Sequence, residues 1–403
     1  MTVIPIGDYL AAADAWLAAR YPVAITAGQR FTWGEGDDAV RVFTEPDPVA
    51  EADALPAIRR WRQELWDAGY GWIDGPPEYG GAGLPAAYAR GFEQLTRCYQ
   101  VPGDSALTVS LGMIAPTILR HGSEEQRLHW LPRLQRGQQI ACQLFSEPEA
   151  GSDLASVATR AVSDGSRWRI SGQKVWTSGA HLADIGEIIC RTADEPRHHN
   201  LTAFLISMDA PGVTVRPLRQ MTGGTAFNEV FLDDVLTGDE RRLGPAGDGW
   251  KVALTTLGHE RRAMGHSAFG GAGILSTGRL IGLVRAMNRD SDPVVRQEFG
   301  ELISRLRTAR YVQEVQAAQA RTGEPAGPEL ALGKIALSDN FRRLAAFVAG
   351  VIGPAVIADT GAWGTYAWTS VLLGAPGYRL GGGTDEIIKT TVAQRALGLP
   401  RAT

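Results

Sequence analysis

Residues Arg167–Ser178 read RWRISGQKVWTS, and the character of this run decides the fold class. Three more short runs follow it: Leu201–Met208, Val213–Leu218 and Glu229–Val235, set apart by Gly, Asp or Pro. Leu201, Ala203 and Leu205 recur with period two. Short runs bounded by breakers predict a small β section in the middle third of the chain.

On both sides of this section the period changes. Ile58, Trp61 and Leu65 recur at helical spacing, as do Tyr88, Phe92, Leu95 and Tyr99. Between them the Gly- and Pro-rich stretch Gly75–Gly83 predicts a loop. Ser123 opens Ser-Glu-Glu-Gln, a capped helix start. After the β section Trp250, Leu254, Leu257 and Arg261 fall on one helical stripe, and Val295, Phe299, Leu302 and Leu306 on another. Leu330–Val351 and Thr384–Leu397 read as two further helices. Strands bounded by helices predict an α+β chain with segregated sections, 1–139 helical, 140–247 β and 248–403 helical, not an alternating parallel sheet.

The 403 residues suit two or three cores. A net charge of −4 gives no basic field for nucleic acid. The three cysteines, Cys98, Cys142 and Cys190, show no paired spacing, which argues against a disulfide framework or zinc site and for a cytoplasmic setting. Met1–Leu10 has no basic residue and does not read as a secretory signal. The longest apolar run, Leu344–Ala358, is too short to span a bilayer and carries Gly350, Gly353 and Pro354. It predicts a buried helix followed by a break.

Gly80-Gly81-Ala82-Gly83 and Gly270-Gly271-Ala272-Gly273 do not match the dinucleotide-binding spacing, and no Walker A, HExxH or GxSxG pattern occurs. His198-His199 reads as a solvated loop rather than a metal site.

Four separated segments together resemble the acyl-CoA dehydrogenase family. They are Pro76-Pro77-Glu78-Tyr79-Gly80-Gly81-Ala82-Gly83; Ser146-Glu147-Pro148-Glu149-Ala150-Gly151-Ser152-Asp153 with Ile170–Ser178 behind it; Glu260-Arg261; and Gly383-Thr384-Asp385-Glu386-Ile387 with Leu397-Gly398-Leu399-Pro400. The resemblance implies a helical N-terminal domain, a β-barrel-like middle domain and a C-terminal four-helix bundle. It also implies FAD as cofactor and an acyl thioester as substrate, either an acyl-CoA or a carrier-bound acyl group.

By the same resemblance Phe145 and Ser146 lie along the flavin ring edge, Trp176 walls the isoalloxazine, Ser178 donates near its reactive nitrogen, and Thr177 belongs to the same cofactor site. Gly151 and Ser152 reach cofactor and pantetheine arm, and Gly382 and Gly383 the substrate. Read without the resemblance, Ser146 and Ser152 are turn residues, Trp176 is a core residue and Asp153 a turn or cap residue. Arg296 and Phe299, in Arg296-Gln297-Glu298-Phe299-Gly300, match a pattern whose arginine reaches the FAD pyrophosphate of a neighbouring subunit; an Arg fork on a diphosphate is sound chemistry. The bland alternative is a solvated arginine on an amphipathic helix. Thr384 and Glu386 would face FAD at the subunit junction, which implies at least a dimer, homo- or heterotetrameric in relatives.

Removing the α-proton of a thioester requires a poorly solvated carboxylate beside it. Many family members place this glutamate just before the Gly-Thr of the C-terminal loop, but that position here is Gly382. Others carry it on a C-terminal-domain helix before an arginine, and Glu260-Arg261 matches that arrangement. Glu260 is therefore the expected base and Arg261 its neighbour; a plain structural Glu-Arg pair is the alternative. Two departures bear on the cross-subunit half of the FAD site. Ala349-Gly350-Val351-Ile352-Gly353-Pro354 lacks the family's Gln and second Gly, and Arg307 stands where Gln is frequent. Three readings follow: a dehydrogenase passing electrons to an electron-transfer flavoprotein, a flavin oxidase or monooxygenase on the same scaffold, or one chain of a heteromeric pair.

Overall fold

The structure, a computed structural model, describes residues 4–24, 32–40, 48–270, 277–321 and 331–400. Gly271–Gly273 and Leu330, singled out above, lie outside the described residues. Those described form two compact units. The first is drawn from 4–24, 48–219 and 225–259, the second from 32–40, 220–224 and 260–400.

The first unit opens with five helices: α1 (Ile6–Ala18), α2 (Pro48–Asp67), α3 (Ala86–Thr96), α4 (Ala115–His121) and α5 (Glu124–Gln135). Ile58, Trp61 and Leu65 are buried on α2, and Tyr88 and Phe92 on α3. Tyr99 lies beyond the end of α3, in an isolated bridge with Val23. The glycine-rich loop is a packing device. Gly80 has φ +90, and a Cβ on it would meet the Trp66 ring at 2.3 Å; a Cβ on Gly81 would meet the Gly75 backbone at 2.2 Å. Ser123 caps α5 as expected. Its Oγ accepts from Gln126 N at 3.2 Å, and Gln126 Oε1 accepts from Ser123 N at 2.9 Å.

The β section has eight strands: β1 (Ala141–Leu144), β2 (Arg160–Asp164), β3 (Arg167–Ser178), β4 (Ile185–Arg191), β5 (Leu201–Ser207), β6 (Val213–Leu218), β7 (Phe227–Gly238) and β8 (Arg242–Leu243). They join in the order β6-β7-β3-β2-β4-β5-β8, with β1 parallel to β4. The barrel-like expectation is corrected: the sheet is open, because β6 and β8 end the path without pairing to each other. β8 is two residues long, and β6 carries Pro217, which has no N–H to donate. The period-two reading of β5 describes facing, not exposure, since Leu201–Ile206 are all buried. Leu201, Ala203 and Leu205 pack on one face with Ile185, Ile189 and residues of α4 and α5. Phe204 and Ile206 pack on the other with Ile188 and Cys190.

Helix α6 (Gly249–Gly270) belongs to the first unit up to His259 and to the second from Glu260. Its expected stripe holds in part: Trp250 and Leu257 pack against the core of the first unit, Leu254 and Arg261 are exposed, and Val252, Ala253 and Thr256 are buried. The second unit continues with α7 (Thr277–Ala286), α8 (Pro293–Arg321), α9 (Ala331–Ile352), α10 (Thr369–Leu380) and α11 (Asp385–Arg395). One core gathers Leu283 of α7, Leu302 of α8, Phe341 and Leu344 of α9 and Val371 of α10. The apolar run breaks where expected: α9 stops at Ile352, and Gly353 takes φ +64.

Candidate active site

Lys174 of β3 is the buried anchor behind the candidate residues. Its side chain is 0% exposed, yet all three ammonium protons have acceptors: Phe145 O at 3.0 Å, Glu147 Oε1 at 2.8 Å and Ile189 O at 2.9 Å. Glu147 also accepts from Ala158 N at 2.6 Å and Thr159 N at 3.0 Å. Burial opposes the Glu147 carboxylate, but the Lys174 charge and these donors outweigh it and hold the group below the usual range. Burial pulls the Lys174 ammonium down, against the pull of Glu147. A buried charge of this kind persists only when paired and fully hydrogen-bonded. The pair ties the Phe145–Glu147 segment to β3, and Val175 N donates to Ser146 O at 2.9 Å.

The same strand then turns a ring outward. The β3–β7 register shifts between Lys174 and Thr177, so β3 carries a bulge there. Lys174 and Val175 are buried in succession, after which Trp176 and Ser178 are exposed and Thr177 is buried. Trp176 has φ +61, a conformation rare for a bulky residue and characteristic of strained functional positions. The residue is 57% exposed, and its ring meets Phe227 edge-on at 5.8 Å. At the bulge Trp176 is thus exposed while Lys174, Val175 and Thr177 stay buried. This corrects the core reading of Trp176.

Phe145 is 4% exposed, and Ser146 is half-buried. Gly151 and Ser152 are exposed, and Asp153 pairs with Arg197. His198 is exposed and stacks on Trp250 at 4.6 Å. Among the described residues no group of three or more His, Cys, Asp or Glu is placed to hold a metal. Burial pushes the Cys142 and Cys190 thiols up to about 12, so neither is an activated nucleophile.

In the second unit Glu260 is half-buried on α6, and Arg261 is exposed. Arg296 is exposed in the first turns of α8, while Phe299 is half-buried, with its ring 6.0 Å from Phe347 in the bundle core. Gly382 and Gly383, with φ +69 and +93, form the turn between α10 and α11. Thr384 caps α11, its Oγ1 accepting from Ile387 N at 3.2 Å. Glu386 is exposed and accepts from Arg379 at 3.3 Å. Asp385 is buried and accepts from Lys334 at 3.0 Å, Ser338 at 2.7 Å and Arg379 at 3.1 Å.

Sequence reasoning quoted Lys174 and Glu147 without giving either a role, although a cation two residues from Trp176 on a strand was a visible signal. It passed over Glu187, the one acid in the apolar run Ile185–Cys190. Glu187 is 0% exposed, and its Oε1 lies 2.8 Å from Thr256 Oγ1. Burial pushes it up to about 8.

An outward aromatic face, an adjacent exposed hydroxyl and a rigid half-buried loop fit a flavin ring, which needs a flat wall and edge donors. The chain matches the acyl-CoA dehydrogenase N-terminal domain over residues 38–138, the middle domain over 142–235 and the C-terminal domain over 247–397. It is 35% identical to acyl-CoA dehydrogenase IpdE1 of Mycobacterium tuberculosis, over 88% of this chain and 91% of that protein. It is also 35% identical to acyl-CoA dehydrogenase FadE34 of the same organism, over 98% of this chain but only 54% of FadE34, so it spans about half that relative's length. Among solved structures, the Tcur3481-Tcur3483 steroid ACAD superposes with TM-score 0.71 at 24% identity, over 99% of both chains. The ChsE4-ChsE5 complex from Mycobacterium tuberculosis superposes with TM-score 0.70 at 22% identity, over 100% of both chains. Three consecutive domain matches and a relative matched over nearly its whole length make this chain a member of the acyl-CoA dehydrogenase family, a family of FAD-dependent oxidoreductases.

Proposed function

We propose that the chain catalyses α,β-dehydrogenation of an acyl thioester, in the first instance an acyl-CoA. The observation that carries this reading is the bulge at Trp176, which presents a strained, exposed aromatic face beside Ser178 on a strand locked by Lys174. FAD, when bound, accepts the β-hydrogen as hydride. Phe145, Ser146, Trp176, Thr177 and Ser178 would hold its ring, and Gly151 and Ser152 the adjoining cofactor and substrate arm. Arg296, Phe299, Thr384 and Glu386 would serve the cross-subunit half of the site, and Gly382 and Gly383 would border the acyl group.

Glu260 takes the α-proton on its carboxylate. Half-burial on a helix supports this role, because reduced solvation raises carboxylate basicity. The loop position used by other members is Gly382, in a left-handed turn, and offers no side chain. Arg261 shapes the field around Glu260. The test is bleaching of the flavin by a panel of acyl-CoAs. Glu260→Gln is expected to slow bleaching by roughly 10²–10⁴-fold, the usual contribution of a general base. A normal rate in that variant refutes the assignment.

A second reading has this chain as one member of a heteromeric pair. It is supported by the break at Gly353-Pro354, which replaces the family's Gln and second Gly, and by the ChsE4-ChsE5 complex among similar folds. Co-expression with a candidate partner chain would then raise flavin content. An electron-transfer flavoprotein is the proposed acceptor, and slow reaction of the reduced enzyme with oxygen separates this from an oxidase. No described helix is long and apolar enough to cross a membrane, and a cytoplasmic setting remains the proposal.

A further inference from the structure

Glu187 lies in the middle of β4 at the start of a short chain of hydroxyl contacts. Its Oε1 is 2.8 Å from Thr256 Oγ1 of α6, and that hydroxyl is 3.0 Å from Thr117 Oγ1 of α4. Thr117 Oγ1 is 2.8 Å from Met113 O. Each hydroxyl carries one proton. That of Thr117 goes to Met113 O, which can only accept. Thr256 must then supply the proton of its contact with Thr117. No hydroxyl proton is left for the contact between Thr256 and Glu187, so the carboxyl brings it. The other acceptor within reach of Thr256, Val252 O at 3.3 Å, would leave the Thr117 contact without a proton. Three contacts are filled only when Glu187 is an uncharged acid.

The acid also faces β1. Glu187 stands in register with Gln143, on the sheet face shared by Ile185, Ile189, Ala141 and Phe145. Glu187 Oε2, an acceptor, and Gln143 Nε2, a donor, are both buried without a hydrogen-bond partner. Met113 belongs to a π-helical turn, Ser110–Ile114, and Ala141 N donates to Ser110 Oγ at 2.7 Å. Turns of this kind are frequent at functional sites. One buried acid thus links β4, α4, the π turn and α6, and stands beside the strand that leads to Ser146.

We propose that Glu187, in its uncharged form, is the positioning residue that sets the rotation of α6 through Thr256, and so the orientation of Glu260 about one turn further along. The inference rests on Glu260 being the base. Apolar contacts from Val252 and Ala253 hold α6 against the sheet but tolerate sliding and rotation. A hydrogen bond from a fixed acid is directional. Its protonation is supported by burial, which raises the group. Among the described residues no charged group bears directly on it: the Lys174–Glu147 pair bonds β4 at Ile189 O, and His121 of α4 contacts Thr255 Oγ1 at 2.8 Å.

Three variants test this: Glu187→Gln, Glu187→Leu and Thr256→Val. In the flavin-free protein at neutral pH, the carboxylic-acid carbonyl band in the infrared should be present in wild type and diminished in Glu187→Gln. Because the folded state holds this proton more tightly than the unfolded chain, wild-type melting temperature should fall as pH rises from about 4.3 towards 8, and Glu187→Gln should lack that part of the fall. In the flavin-loaded protein, bleaching by wild type should slow as pH passes 8, and Glu187→Gln should lose this alkaline limb. Glu187→Leu should slow bleaching roughly ten- to a hundredfold with flavin still bound, the order of loss expected from misplacing a reacting group. Thr256→Val should do the same, and it decides the matter if Glu187→Leu does not fold. An unchanged infrared band in Glu187→Gln, or wild-type bleaching in Thr256→Val, overturns the proposal. Normal bleaching in Glu260→Gln would instead remove the base, while the infrared and melting comparisons would still judge Glu187.

Discussion

Lys174 Nζ and Glu147 Oε1 lie 2.8 Å apart with both side chains buried, and each spends its remaining hydrogen bonds on main-chain groups of other segments. Two stretches far apart in sequence are thereby fastened at one point. A buried pair contributes little net stability, because desolvation offsets its Coulomb attraction, but breaking it leaves a lone charge in the core. Lys174→Met is therefore expected to cost about 3–5 kcal/mol. The double variant Lys174→Met/Glu147→Gln should recover part of that loss, because no charge is stranded. Thermal melting of the four proteins in a double-mutant cycle checks this. Flavin content, read from visible absorbance after gel filtration, should fall in both Lys174 variants, since the loop at Ser146 loses its anchor. Equal melting temperatures for wild type and Lys174→Met would refute the account.

Trp176 separates stability from function. Its left-handed backbone costs on the order of 1–3 kcal/mol, and its exposed ring returns little by burial. Trp176→Gly relieves that strain at a position where glycine is at ease, although glycine loses more entropy on folding. The flavin-free variant should melt at or above the wild-type temperature. Its flavin affinity should drop roughly two- to tenfold, because stacking on an aromatic face contributes about 0.5–1.5 kcal/mol. Isothermal titration with FAD and melting of the flavin-free protein measure the two effects. A large fall in stability with unchanged flavin affinity would show that the ring serves the core.

The residues that sequence reasoning read best were those whose signal is local. Strands β3, β5, β6 and β7 follow from apolar runs bounded by Gly, Asp and Pro, and the cap at Ser123 follows from a four-residue pattern. The run Ile185–Cys190 has the same apolar character, but β4 was not singled out, and its Glu187 went with it. Helix α10 was missed because Gly374, Pro376 and Gly377 weaken its helical signal. The stripe on α6 was legible only in part: Trp250 and Leu257 do pack against the core, but its deepest face is built from the smaller Val252, Ala253 and Thr256, and Leu254 is exposed. The motif residues at Trp176 were visible in the sequence, but the bulge that turns the ring outward depends on pairing with β7, more than fifty positions away. Proton counting at Glu187 needs three elements in contact, and no periodicity within one of them reports it.

The second unit has its own buried charge, and it titrates in the opposite direction from Glu187. Burial alone would raise Asp385, but bonds from Ser338, Lys334 and Arg379 outweigh it and hold the carboxyl below its ordinary value. A depressed carboxyl contributes stability that is fully present above the unfolded value, about 3.9, and is lost as pH falls through the folded one. Asp385→Asn should therefore destabilise the second unit by about 3 kcal/mol at neutral pH, because Lys334 is left buried without its counter-charge. Arg379, which is nearly half exposed, can turn to water and limits the loss. The difference between wild type and variant should shrink as pH is lowered below about 3.9, where the unfolded carboxyl takes up a proton first and the folded one follows at lower pH. Because two units need not unfold together, calorimetry is the appropriate probe, and only the transition that includes α9–α11 should move. A gap between the two proteins that is the same at pH 7 and at pH 3 would mean that Asp385 acts by shape rather than by charge.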